Sequence, residues 1–163
     1  MKQLLIVYHS RTGGARQMAQ AAAAGAAHEP TVTVRLETAP VSGPEALLEA
    51  NAYAFVCPEN LAAMSGAMKE YFDRCYYPVL ERLNGRPYAT LICAGSDGTN
   101  AARQIERIAT GWRLKAIAPP LIVCTRSQTP EDILKPKRID AADLERCEEL
   151  GATLAAGLAF DIY

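Results

Sequence analysis

Apolar runs and helical periodicities alternate along this chain from one end to the other. The run Leu4-Leu5-Ile6-Val7, within Gln3 to Tyr8, has few polar interruptions and reads as a strand buried on both faces. Met18, Ala19, Ala22, Ala23 and Ala26 then recur at helical spacing, predicting a helix over residues 14–27. Thr31 to Leu36 alternates and is β-branched, a second strand toward a sheet edge. Pro40, Gly43 and Pro44 mark a loop, and Pro44 suits the first turn of a short helix through Ala50. A third strand covers Ala52 to Cys57 and is stopped by Pro58. Residues 65–77 form a longer helix, limited or kinked by Pro78. Its apolar positions Met64, Met68, Tyr71, Phe72 and Cys75 belong to the core.

After the turn Asn84-Gly85-Arg86-Pro87, Tyr88 to Ala94 gives strand four, and residues 100–112 the next helix. Strand five, Leu114 to Val123, is interrupted by Pro119-Pro120, which argues for a bend or an edge. Ser127 to Arg138 is polar, with Pro130 and Pro136, and reads as a loop with one helical turn. The last helix runs from Ala141 to about Ala159, with Asp140 at the N-cap position. Strict alternation of strand and helix makes an α/β domain: a doubly wound, five-stranded parallel sheet formed by residues 1–163 as one unit.

Composition narrows this picture by exclusion. The 163 residues are 50% hydrophobic and 21% charged, an ordinary globular balance. A formal net charge of -1 implies neither nucleic acid nor an acidic membrane surface as a partner. No apolar stretch approaches the roughly 20 residues of a membrane span, and no signal peptide precedes the first strand. The 5 cysteines (Cys57, Cys75, Cys93, Cys124, Cys147) form no C-x-x-C pair and read as free thiols in a reducing, cytoplasmic compartment.

Candidate chemistry lies in three loops. Ser10-Arg11-Thr12-Gly13-Gly14-Ala15 joins the first strand directly to the first helix, so backbone N–H groups and the positive end of the helix dipole converge there. That is an anion site, most often for phosphate; as an ordinary strand-to-helix turn, its hydroxyls would only cap the helix. Its glycines allow positive φ and close approach. No lysine follows Gly13-Gly14, which excludes a Walker A loop, and the spacing lacks the G-x-G-x-x-G of a dinucleotide fingerprint. Pro58 to Ser65 and Gly95 to Asn100 follow the third and fourth strands. In a sheet of this type all three loops meet beyond the strands' carboxyl ends, where strand order reverses.

The first loop resembles the flavodoxin phosphate loop T/S-x-T-G-x-T, with Ala15 where the final hydroxyl would stand. Pro58-Glu59-Asn60-Leu61-Ala62-Ala63-Met64-Ser65-Gly66-Ala67-Met68-Lys69-Glu70-Tyr71-Phe72-Asp73-Arg74 is similar to the same segment in the NAD(P)H-dependent FMN reductase and WrbA-like branch of flavodoxin-like proteins. The resemblance covers essentially the whole chain. It implies strand order 2-1-3-4-5 and non-covalent FMN, its 5′-phosphate on Ser10, Arg11, Thr12, Gly13, Gly14 and Ala15. Pro58, Glu59, Asn60, Leu61, Ala62 and Met64 would lie along the ring and ribityl chain, and Gly95, Ser96, Asp97 and Gly98 at the pyrimidine edge.

Each assignment has a plainer structural reading. Asn60 serves a turn as readily as a ligand, Glu59 could be a solvated carboxylate, Met64 could be core, and Ser65 suits an N-cap. Lys69, Asp73 and Arg74 read as structural, and His9 as support for the first loop. No Trp or Tyr lies in a ring-facing loop. The resemblance implies an oxidoreductase passing electrons from NAD(P)H through FMN to a quinone, a flavin or another small acceptor, with no catalytic side chain or metal assigned. The alternative is an electron carrier docking on a redox protein. A domain that has lost FMN is a third reading, favoured by Ala15. A homo-oligomer is left open.

Overall fold

The computed structural model describes residues 1–163. Four full strands, β1 (Lys2–Tyr8), β2 (Val32–Thr38), β3 (Ala52–Asn60) and β5 (Pro87–Ala94), pair in parallel in the order β2-β1-β3-β5. The fifth position is shared by two short strands, β6 (Lys115–Ala116) and β7 (Leu121–Cys124), both parallel to β5. This is the expected order 2-1-3-4-5, with its last strand broken. Pro119 and Pro120 supply no N–H for a ladder, so the strand leaves β5 after Ala116 and rejoins it at Leu121.

Alternation of side chains across the sheet builds two cores. Leu5, Val7, Tyr53 and Phe55 face α3 (Gly66–Val79), α4 (Thr99–Gly111) and the short α2 (Pro44–Glu49). Leu4, Ile6, Ala54 and Val56 face α1 (Gly14–Ala26) and α6 (Ala141–Ala159). The alanine-rich composition of α1 has a steric cause. A Cβ on Gly25 would fall 1.9 Å from the Glu148 carbonyl oxygen, and one on Gly151 1.9 Å from that of Ala22. Backbones this close admit only the smallest residues at the crossing.

Two boundaries differ from the sequence reading. Pro58 does not end its strand: β3 continues to Asn60, and Pro58 stands opposite Cys93 of β5. The ladder with β1 has already ended at Tyr8 and Val56, so the N–H that proline lacks is not needed there. Helix α3 also runs through Pro78 to Val79, because proline in the last turn removes little of the helix ladder. Between Ser127 and Arg138 the single expected helical turn is α5 (Pro130–Leu134), with the Thr129 hydroxyl accepting from the Asp132 N–H at 3.1 Å. Trp112 is fully buried, its ring 5.7 Å from that of Tyr76, whereas Tyr77 is exposed. No helix is long and apolar enough to cross a membrane.

Candidate functional site

Strands β1, β3 and β5 end at the same edge of the sheet, and their loops are tied together by specific hydrogen bonds. In the first loop, the Ser10 hydroxyl accepts from the Gly13 N–H at 3.1 Å, which leaves its own proton free to point outward. Gly13 takes φ +96°, a left-handed conformation that turns the chain directly into α1. Intrahelical bonding starts with the Gln17 N–H on the Gly13 carbonyl. The N–H groups of Thr12, Gly14, Ala15 and Arg16 therefore precede the ladder and have no acceptor in the protein. Arg11 is exposed at the tip. Ala15 is 1% exposed within the α1/α6 core, so this position offers a ligand its backbone N–H rather than a side chain.

The first loop is held from outside by residues the sequence reading did not single out. Gln17 Nε2 donates to the carbonyls of Gly13 (2.9 Å) and Lys137 (2.7 Å), while its Oε1 accepts from the Ile139 N–H at 3.0 Å. The Lys137 N–H donates to the Thr12 carbonyl at 2.8 Å. A Cβ on Gly14 would lie 2.5 Å from the Cys93 sulfur, so glycine here is a packing requirement against β5. The His9 side chain reaches the second loop rather than the first: its Nδ1 lies 2.8 Å from the Ser65 hydroxyl. Burial, and secondarily the Arg11 charge, hold the His9 pKa below the ordinary histidine value. Ser65 occupies the N-cap position of α3 but makes no capping bond; its hydroxyl is spent on His9.

The second loop is a tight hairpin. Glu59 pairs with Met64 and Asn60 with Ala63 of β4 (Ala63–Met64), leaving Leu61 and Ala62 as a two-residue turn. Both have positive φ, 50° and 61°. Turns of this length favour Asn-Gly or Gly-Gly, and a left-handed non-glycine residue costs about 1 kcal/mol or more. Leu61 is fully exposed at the tip, and Met64 is core. Glu59 is not a solvated carboxylate: Oε1 accepts from the Gly98 N–H at 2.9 Å and Oε2 from the Ala101 N–H at 3.2 Å. It thus caps α4 from across the crevice, where the helix dipole favours an anion.

In the third loop Gly98 has φ +87° and its backbone is pressed against the sheet, a Cβ there lying 2.7 Å from Ile122 Cγ2. Asp97 turns its carboxylate onto the Thr99 side chain and N–H, and these bonds lower its pKa. Its charge is committed to the start of α4. The N–H groups of Gly95, Ser96 and Asp97 have no acceptor in the protein. The neighbouring chain closes one side, with the Arg126 N–H on the Gly95 carbonyl at 2.8 Å. Two rows of free backbone donors, one at the N-terminus of α1 and one ahead of α4, thus stand at the carboxyl edge of the sheet, where the second loop carries its exposed tip at Leu61.

Of the five thiols only Cys124 is exposed, and its Sγ donates to the Asp97 carbonyl of the third loop at 3.6 Å. Cys57, Cys75, Cys93 and Cys147 are buried, and burial pushes Cys57 and Cys147 up to about 12 and Cys93 to about 11. Lys69 pairs with Asp73, and Arg74 with Glu70 and the carbonyls of Ala39 and Ser42, all structural contacts on α3.

Comparison with known proteins assigns the family. Residues 42–129, more than half of the chain, match the family model described as NADPH-dependent FMN reductase. The chain belongs to that family. The chain has the flavodoxin-like fold and is similar to solved proteins of that fold. It superposes on an archaeal flavodoxin with a TM-score of 0.77 at 22% identity, covering 96% of this chain and 99% of the other. The WrbA-like flavodoxin of Agrobacterium tumefaciens gives a TM-score of 0.75 at 19% identity, with 96% of each chain covered. A protein named flavodoxin from Aquifex aeolicus is 33% identical over 96 residues, 59% of this chain and 50% of the relative; the match thus spans half of that relative's length.

Proposed function

We propose that this protein is an FMN-dependent oxidoreductase that takes electrons from NAD(P)H and delivers them to a quinone, a flavin or a similar small acceptor. The observation that carries the proposal is the pair of unpartnered donor rows. Four N–H groups at Thr12, Gly14, Ala15 and Arg16, with the hydroxyls of Ser10 and Thr12 and the Arg11 charge, match the demands of a phosphate monoester. Three more at Gly95, Ser96 and Asp97 match carbonyl oxygens at the edge of a planar heterocycle. FMN has both features at its two ends.

In this reading Pro58, Asn60, Leu61 and Ala62 border the ring, and Gly98 lets the third loop turn close beside it. Glu59 acts on the protein, by fixing the second loop to the third, rather than on the ring. Bound FMN supplies hydride acceptance and onward electron delivery; the chain's part is to hold it, orient it and keep one face reachable. Small residues favour such access: Ala62 is exposed, Ala63 half-buried, and a Cβ on Gly66 would meet nothing within 4 Å. Ser65, buried against His9, contributes nothing to that face.

A flavodoxin-type carrier is favoured by the relative of that name. Opposing it is the net charge of -1, far from the strongly acidic surface that electrostatic docking exploits. Anaerobic mixing of the FMN-loaded protein with NADPH or NADH distinguishes the two. Bleaching of the flavin absorbance, reversed by a quinone, is expected. Reduction by dithionite or a reductase protein, with neither nicotinamide effective, would assign the protein to the carriers.

A further inference from the structure

The two-residue turn of the second loop breaks two local rules at once. Leu61 and Ala62 are both left-handed without being glycine or asparagine, and Leu61 stands wholly in solvent. Nothing within the turn's own sequence favours this conformation. What surrounds it does. Three side chains tie the hairpin to α4 through four hydrogen bonds. Glu59 accepts from the Gly98 and Ala101 N–H groups at the base. The Gln104 side chain accepts from the Met64 N–H at 2.8 Å on the returning strand. Asn100 Nδ2 donates to the Ala62 carbonyl at 2.6 Å, at the turn itself.

We infer that Asn100 is a positioning residue for the cofactor: with Glu59 and Gln104 it clamps a disfavoured turn onto α4, so that the hairpin tip is held at the ring side of the crevice before any ligand arrives. The inference rests on the FMN reading for its ligand but not for its mechanism. A turn that relaxes when the clamp is lost is binding-competent only part of the time, and apparent affinity falls by that fraction. The loss belongs to the ring side, so FMN and riboflavin suffer alike. Glycine at position 62 removes that residue's share of the preference against left-handed backbone and lessens the need for the clamp, leaving only Leu61 disfavoured.

The test is a double-mutant cycle on the full chain with Asn100→Asp and Ala62→Gly. Aspartate is nearly isosteric, cannot donate to the Ala62 carbonyl when ionised, and is favourable in the first turn of α4, so folding is not at risk. Calorimetric titration with FMN and with riboflavin should show N100D raising both Kd values by the same factor, about 3- to 10-fold, the worth of one hydrogen bond. A62G in the N100D background should recover part of that loss. Without flavin, amide exchange over residues 60–64 should accelerate in N100D and slow again in the double variant. Unchanged Kd values in N100D, or a loss that A62G fails to recover, would overturn the assignment. A wild-type protein that binds neither flavin would defeat the FMN reading instead; the exchange rates then decide the clamp alone, and equal rates in wild type and N100D would overturn it.

Discussion

Glu59, at the end of β3, and Gly98, at the start of α4, are joined by a 2.9 Å hydrogen bond from the Gly98 N–H to Oε1. The second oxygen of the same carboxylate takes the Ala101 N–H. One side chain therefore satisfies two orphan donors of a helix that follows it by some forty residues, and joins two of the three loops. Replacing Glu59 by Ala leaves both donors without a partner and is expected to cost about 1–2 kcal/mol. Glu59→Gln keeps one accepting oxygen and should cost less. Urea titration of the three proteins measures the order.

The first loop makes a complementary prediction about ligand. Thr12 carries a hydroxyl without a protein partner beside the free N–H groups. Thr12→Ala should weaken FMN by about 1–2 kcal/mol, the value of a hydrogen bond to a charged group, and leave riboflavin nearly unaffected. Equal losses for both ligands would mean that the loop does not receive the phosphate.

Gly14 tests packing instead of conformation. Gly14→Ala sets a methyl 2.5 Å from the Cys93 sulfur, and should destabilise the fold by about 1–3 kcal/mol. Combining it with Cys93→Ala opens that space, so the two substitutions should be markedly non-additive in thermal or urea unfolding.

His9 gives a pH dependence of defined sign. Its pKa in the folded protein is lowered, by burial first and Arg11 second, from the ordinary value near 6.5. Between that value and the folded one, the unfolded chain binds more protons, so stability rises with pH and falls on acidification through this window. His9→Gln should flatten the slope of the urea midpoint below pH 6.5 relative to wild type.

Much of the fold was legible because its signals are local and repeated. The apolar run of β1, the helical spacing on α3 and the diproline in strand five each reported their element directly. Pro58 misled because proline ends a strand only where its missing N–H is needed, and that depends on where β1 stops. Within the site, the loops were legible from glycines and hydroxyls. The bonds that join them were not. Glu59 looks like any loop carboxylate until α4 is placed beside it, and Ser65 looks like a cap until His9 is. Gln17, Asn100, Gln104 and Lys137 sit in polar stretches whose pattern carries no sign of a partner dozens of residues away. Ala15 reads as a missing hydroxyl in one dimension and as core in three.

In the proposed function the α1 N-terminus and the third loop together hold FMN. Calorimetric titration of the protein, stripped of any flavin, with FMN and with riboflavin tests it most directly. One FMN per chain, bound more tightly than riboflavin and with its visible bands shifted, is the expected result. No heat and no spectral change at saturating FMN would contradict the account.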